Sequence, residues 1–221
     1  MNAKKAYPFY FVIGALVMYI LFFFLPGLIG IGYSFTDWSS YSKEIHFIGL
    51  ENFKTVFAEN EHYAKYLLNT VQFTVVTTFF KTCLGLFFGV LLTKRIKALN
   101  FHRAMMFMPS ILSLLIIGII FKSLLNPTQG FINLFLQNIG LESWTQKWLV
   151  DPKIAFYSVM GVDIWKGTGY IMTIIIAGLM TIPETYYEAA NIDGANGIQK
   201  FFKITVPLLM PTLSVTLVLN I

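Results

Sequence analysis

The sequence predicts an all-α, polytopic membrane helix bundle, and three observations carry that expectation. The 221 residues are 56% hydrophobic and only 12% charged, against about 25% charged in an ordinary soluble domain. Apolar residues gather into five runs, each long enough to cross a hydrocarbon core about 30 Å thick, which takes about 20 helical residues. These runs mostly lack the polar face of a surface helix in a soluble protein. The composition also argues against disorder. Sixteen Lys plus Arg against 11 Asp plus Glu give a formal charge of +5, but the basic residues are scattered among apolar runs, so no nucleic acid is expected as a partner. Cys83 is the single cysteine, which excludes an intrachain disulfide and a thiolate zinc cluster.

The first expected span, near 9–33, carries no charge. Lys4 and Lys5 before it suggest a secretory signal, but the apolar stretch is too long and no small-residue cleavage site follows, so an uncleaved span is expected. The second span, near 70–92, holds only Lys81, and the third, near 104–125, only Lys122. The fourth, near 155–182, encloses Asp163 and Lys166, and the fifth, near 204–221, is still apolar at Ile221. Lys94, Arg95, Lys97 and Arg103 crowd the segment between the second and third spans without an acid. Positive charge of this kind stays on the cytoplasmic side, which puts the N-terminus and the 183–203 loop there too. The segment between the first two spans mixes Asp37, Glu44, Glu51, Glu59 and Glu61 with Lys43, Lys54 and Lys65, as an outer loop would. Phe53, Val56 and Phe57 have helical spacing, as do Phe131, Leu134 and Phe135 between Gly130 and Gly140. Both are expected as surface helices, with Trp144 and Trp148 in the aromatic belt; a docking surface for an extracellular partner is the alternative.

The 183–203 loop reads as two short helices joined by a glycine turn. Pro183 suits a first helical turn, and Glu184 and Glu188 lie one turn apart on one face near the positive end of the helix dipole. Ala189 and Ala190 have almost no bulk, so another protein's surface could approach the backbone closely. Gly194 can take the left-handed conformation that ends a helix. Asn196 can cap a second helix that presents Phe201, Phe202 and Ile204 before Pro207 and Pro211, which are expected to interrupt backbone hydrogen bonding. Composition leaves two readings open: an acid-tipped knob that transmits force, or an amphipathic hairpin covering the bundle end.

Glu188-Ala189-Ala190, Asp193-Gly194-Ala195, Gln199, Phe201, Ile204, Pro207 and Pro211 resemble the EAA loop of the inner-membrane permeases of binding-protein-dependent ABC importers. Further segments are similar to the carbohydrate branch of that family: Gly49–Phe53, Arg103–Pro109, Gly130–Leu141, Trp148–Ala155 and Ala177–Ala190. The resemblance covers nearly everything after the first span and implies one permease domain over 1–221. It implies that 183–203 forms a coupling helix seated in a cleft of an ATPase subunit. Glu188 would pair with a basic group there, Ala189 and Ala190 would permit the close fit, and Gly194 would make the bend. Glu184, Asp193, Ala195 and Phe201 belong to the same coupling surface. The chain holds no Gly-x-x-x-x-Gly-Lys-Ser/Thr phosphate loop, so a separate ATPase would use the ATP and Mg, and the chain itself is expected to be neither an enzyme nor a cofactor binder. The implied partners are a second permease subunit, two ATPase subunits, an extracellular solute-binding protein, membrane lipid and a sugar, in a bacterial plasma (inner) membrane. Another solute such as a glycerol phosphate is the alternative, and a proton-coupled carrier a remote one. The family has a sixth span that this chain lacks, so the sequence is expected to be incomplete at its C-terminal side and to miss some of the transport path.

Ionisable residues at bilayer depth suggest function by default. Lys122 is close enough to a span end to snorkel, whereas Lys81 is near mid-span. Asp163 and Lys166, three residues apart, can pair along one helical face, or Asp163 can pair with Lys81 between helices. The sharper expectation is that Asp163, Trp165, Lys166 and Tyr170 line a polar path for a sugar, whose hydroxyls suit carboxylate and amine and whose C–H groups suit aromatic rings. Gly85 and Gly89 have a spacing that lets helices approach closely. A membrane-embedded enzyme is not expected: His46, His62 and His102 lie in loops without metal-ligand spacing, and Asp163 has no second intramembrane acid.

Overall fold

The computed structural model describes residues 10–42, 44–59, 61–93 and 96–220. Lys4, Lys5, Lys43, Lys94 and Arg95, on which the expected orientation partly rests, lie outside the described residues, as do Phe9 and Ile221 at the ends of the expected spans. The chain divides into two compact units, Met1–Asn69 and Thr70–Ile221.

In the first unit, α1 (Tyr10–Tyr19) and α2 (Leu25–Tyr33) are joined by a π-helical turn, Ile20–Phe24. A proline ring collides with the carbonyl four residues earlier. For Pro26 that carbonyl is Phe22, inside the widened turn, and the Leu25 amide bonds to Ile20 instead. The helix therefore passes its proline, and Val12–Tyr33 forms a 22-residue apolar run. A loop follows in which Asn52, in the short helix α3 (Glu51–Lys54), donates its amide to the carbonyls of Ser34 at 2.9 Å and Thr36 at 2.8 Å. Gly49 supplies the positive φ of +62° that brings the chain into α3. The expected surface helix through Phe53, Val56 and Phe57 is present as α3 and the π-helical turn Thr55–Glu59. Asp37 Oδ1 accepts the His46 backbone N–H at 2.7 Å. That bond, with a smaller contribution from the His46 ring, holds the Asp37 carboxyl below its ordinary range.

The next helix, α4 (Glu61–Leu91), begins earlier than its apolar run suggests. In the second unit, α5 (Leu99–Ile111), α6 (Leu114–Leu124), α7 (Phe131–Asn138), α8 (Pro152–Met180), α9 (Glu184–Ile192), α10 (Gly197–Lys200) and α11 (Val206–Asn220) follow. Helix α8 is the centre. Ile171, Ile175 and Leu179 pack with Leu209 of α11 and with Leu86 and Val90 of α4, while Met172 and Ile176 pack with Leu92, Leu99 and Met106. Small residues set these approaches. A Cβ on Gly85 or Gly89 would lie 2.9 Å from Ile171 Cγ2 or Ile175 Cγ2, so the glycine pair serves packing within this chain. A Cβ on Gly178 would meet Thr212 Cγ2 at 2.7 Å, and one on Gly169 would overlap the Met106 carbonyl. The free carbonyl of Leu92 at the end of α4 takes both Nε (3.0 Å) and Nη2 (2.7 Å) of Arg103.

Two expectations about elements change. The third span is not one helix: α5 and α6 meet at 96°. Leu112 and Ser113 are extended, and Ser113 caps α6 by accepting the Ile116 N–H. Pro109 stands inside α5, before the break, and the cap that Ser113 offers keeps the cost of restarting the helix low. Pro207 and Pro211 each lack an amide donor but do not break the last span: the π-helical turn Phe201–Thr205 absorbs Pro207 as the earlier one absorbs Pro26, and Pro211 lies inside α11. Gly197–Asn220 is a continuous 24-residue run. Among the described residues, four helices are long and apolar enough to cross a membrane, or five if the bent pair is one span.

The surface helix expected at Phe131–Phe135 is α7. Buried Asn133 organises its surroundings, donating to the carbonyls of Pro127 and Gln146 at 2.9 Å and accepting from Trp148 Nε1 at 2.8 Å. Trp148 is therefore tied to the protein and not a free interfacial anchor, while Trp144 is exposed.

Candidate functional site

The 183–203 segment is an elbow between α8 and α11. Pro183 is extended and stands just before α9, so Glu184 is the first helical residue. The end of α9 is closed by Gly194 at φ +73°, with the Ala195 N–H on the Ala190 carbonyl (2.9 Å) and the Gly194 N–H on the Asn191 carbonyl (3.1 Å). These are the two bonds of a Schellman motif, which needs a left-handed residue at that point. Asn196 and Gln199 then cap α10 reciprocally at 2.9 and 2.8 Å. Lys200 Nζ reaches Asn191 Oδ1 at 2.6 Å, and the Tyr187 hydroxyl meets buried Thr205 Oγ1 at 2.9 Å. The α9–α10 turn and the contact of α9 with the start of the last span are thus each fixed by a named bond.

This bonding divides the expected contact residues. Glu184, Glu188, Ala189, Asp193 and Gly194 are exposed, Ala195 and Phe201 are half-buried, and Ala190 is buried. Ala190 packs inside the elbow, so of the alanine pair only Ala189 offers a low-relief outer surface. The exposed tip also carries Ile192, Ile198 and Phe202. Ile192 was not singled out in the sequence, although it stands four residues after Glu188 and so shares its face. A cavity of about 520 Å³ separates the elbow from α4, with Val90, Thr93, Glu184, Tyr187 and Lys200 among its walls.

Farther along α8 is a polar level. Lys81 Nζ lies 2.6 Å from Asp163 Oδ2, so Asp163 pairs across helices and not with Lys166. Gly167 makes the pair possible, since its absent Cβ would come within 2.9 Å of the Lys81 Cδ and Cε. Thr77 and Thr78 of α4 and Thr216 of α11 are buried, and Thr78 Oγ1 makes a long 3.5 Å contact with the Asn220 carbonyl. The Lys81 side chain is 10% exposed and that of Asp163 31%, so the carboxylate keeps one open side.

At about 100° per residue, Lys166 and Tyr170 share the Asp163 side of α8, whereas Trp165 lies about 200° away. Trp165 instead stacks edge-on against Phe121 of α6, centroids 5.3 Å apart, and lines an apolar groove of about 510 Å³ with Leu125, Trp148 and Tyr157. The four residues expected to line a path therefore do not converge. Asp163, Lys166 and Tyr170 form one strip. The groove around Trp165 offers little to a polyol: the Trp148 indole N–H is bonded to Asn133, and Ser158 donates to Ile154. Lys122 is exposed in the last turn of α6, where it complements the carbonyl end of the helix.

The family described as the binding-protein-dependent transport system inner membrane component matches residues 64–221. The probable ABC transporter permease protein YurN of Bacillus subtilis (strain 168) is 37% identical over 208 residues, which is 93% of this chain and 70% of that protein. The probable starch degradation products transport system permease protein AmyD of Thermoanaerobacterium thermosulfurigenes is 32% identical over 213 residues, 96% of this chain and 70% of that protein. Among solved structures, a bacterial alginate ABC transporter in complex with alginate pentasaccharide-bound periplasmic protein has a chain that superposes with a TM-score of 0.80 at 23% identity, over 96% of this chain and 70% of that one. The last likeness speaks for the fold. From the span of the family match and the identity to its relatives, the chain belongs to the inner-membrane components of binding-protein-dependent transport systems.

Proposed function

We propose that this chain is a membrane subunit of an ATP-driven importer for a carbohydrate or carbohydrate-like solute, and that its elbow transmits work from a separate ATPase. The observation that carries the reading is the rigidity of the elbow. Its Schellman closure, its capping box and the Tyr187–Thr205 contact tie α9 and α10 to the start of the last span, and the short 181–183 link joins α9 to α8, so a push on the exposed Glu188–Ala189 surface bears on both long helices. The cavity between elbow and α4 leaves room for that movement. In this reading the N-terminus and elbow are cytoplasmic, and Glu188 pairs with a basic group of the ATPase, which uses ATP and Mg. Closure of two ATPase subunits would turn this chain and a second permease outward, and an extracellular binding protein would then release its solute into the opened path. Asp163, Lys166 and Tyr170 are the side chains proposed to meet that solute. The carbohydrate assignment is supported by the similarity to AmyD, a probable permease for starch degradation products.

An anionic solute such as a glycerol phosphate is the second reading, favoured by Lys166. Its amine shares the Asp163 side of α8 without an acidic partner among the described residues, while Lys81 already balances Asp163. Purifying the intact assembly, identifying its co-eluting subunits and screening the binding protein against sugars and sugar or glycerol phosphates separates the two. For the coupling role, Glu188→Lys should abolish stimulation of ATPase activity by the loaded binding protein while membrane insertion persists. Unchanged stimulation in that variant refutes it.

A further inference from the structure

We propose that Ser110 is a positioning residue for transport, holding the α8 turn that carries Lys166 and Tyr170; the link to transport rests on the reading of those residues as part of the solute path. Ser110 Oγ donates to the Lys166 carbonyl at 2.7 Å and accepts the Tyr170 N–H at 3.1 Å. In an α-helix these two backbone groups, four residues apart, are each other's partners. A hydroxyl from α5 has thus joined the hydrogen-bond ladder of α8 at the turn where side-chain placement matters for the proposed path.

Independent packing features converge on the same turn. One helical turn before Ser110, the Met106 carbonyl occupies the space that a Cβ on Gly169 would fill, so the α5 backbone sits directly on α8. From α4, the Lys81 stem lies in the notch left by Gly167 on its way to Asp163. The turn is gripped by a hydroxyl on one side and an aliphatic stem on the other. Just beyond Ser110, α5 ends at Ile111 and the chain bends by 96° into α6. Helix α5 is therefore fixed to α8 up to Ser110 and can articulate after it. Any displacement of Lys166 and Tyr170 relative to α5 must break both Ser110 bonds.

The test reads helix position without a solute, so it stands even if the path reading fails. In the full chain within its native membrane assembly, Cys83→Ser removes the single thiol of these 221 residues, and Thr173→Cys places a reporter on the exposed strip one turn after Tyr170, its labelling read on this chain against the Cys83→Ser parent. Its modification rate by 2-(trimethylammonium)ethyl methanethiosulfonate is measured with Ser110 intact and in Ser110→Ala, Ser110→Val and Ser110→Thr. Interhelical hydrogen bonds in membranes are each worth about a threefold change in an equilibrium, so loss of both in Ala and Val should change the rate by about three- to tenfold, while Thr stays within about twofold. Val matches Thr in shape, which keeps the comparison decisive if Ala assembles poorly. Rates in Ala and Val equal to that of Ser110, or a Thr rate shifted as far as theirs, overturn the proposal. Solute uptake by Asp163→Asn tests the path reading separately: if uptake is unaffected while the labelling shift is present, Ser110 positions α8 but the path lies elsewhere.

Discussion

Removing the charge of Asp163 should destabilise the chain more than removing the whole Lys81–Asp163 pair. At 2.6 Å, an effective dielectric of about 20 gives a gross attraction of about 6 kcal/mol. Most of that is cancelled by taking the two ions out of water, and breaking one side of a buried pair costs about 3–5 kcal/mol because the other charge is stranded. Asp163 keeps 31% of its side chain exposed, which lowers the expectation for Asp163→Asn to about 2–3 kcal/mol. Lys81, 10% exposed, is the ion left stranded. In Lys81→Met/Asp163→Leu no buried charge remains, and stability should return to within about 1 kcal/mol of the parent. The assay is unfolding of the full chain in mixed micelles against SDS mole fraction, in a double-mutant cycle with both singles and the double. Additive effects, with the double variant worse than either single, would show that the two side chains do not act as a pair.

Other consequences are as direct. Gly169→Ala drives a Cβ into the Met106 carbonyl and should cost about 1–3 kcal/mol in the same assay, whereas Gly161→Ala in the same helix meets nothing within 4 Å and should be neutral or slightly stabilising. Gly194→Ala must hold a left-handed residue at φ +73°; a cost of about 1–2 kcal/mol should appear as faster backbone amide exchange across 189–199. The Asp37 carboxyl is held below its ordinary value in the folded loop, so it binds its proton more weakly there than in the unfolded chain. Its stabilising effect is present above about pH 4 and is lost as pH falls through the lower folded value. Trp38, stacked on Tyr33 at 4.8 Å, should report this as a fluorescence change below about pH 4 that disappears in Asp37→Asn.

The spans were legible because desolvating a backbone needs long apolar runs, and a run is a local property of sequence. The elbow was legible for the same reason: Gly194, Asn196 and Gln199 each act on backbone groups within a few residues. What lay beyond reach was long-range. Whether Asp163 met Lys81 or Lys166 depended on how α4 docks against Gly167 of α8. Trp165 was grouped with Asp163 by proximity in sequence, although helical periodicity alone would have separated them. The small side chain of Ala190 suggested a contact surface, but small residues pack inward as readily as outward. The break after α5 and the passage of the last span through Pro207 were equally out of reach, because one depends on the cap that Ser113 offers and the other on a widened turn. Ser110 gave no sequence signal at all, since its partners are backbone groups on a helix far along the chain.

The most direct test of the coupling role is a cross-link from the elbow. With Cys83→Ser as background, Ala189→Cys should be captured by a short bismaleimide to a cysteine-bearing ATPase subunit in native membranes, and ATP should change the yield. Buried Ala190→Cys should react poorly. An Ala189→Cys variant that is labelled by monofunctional maleimide yet never joins an ATPase subunit, with or without nucleotide, contradicts the account.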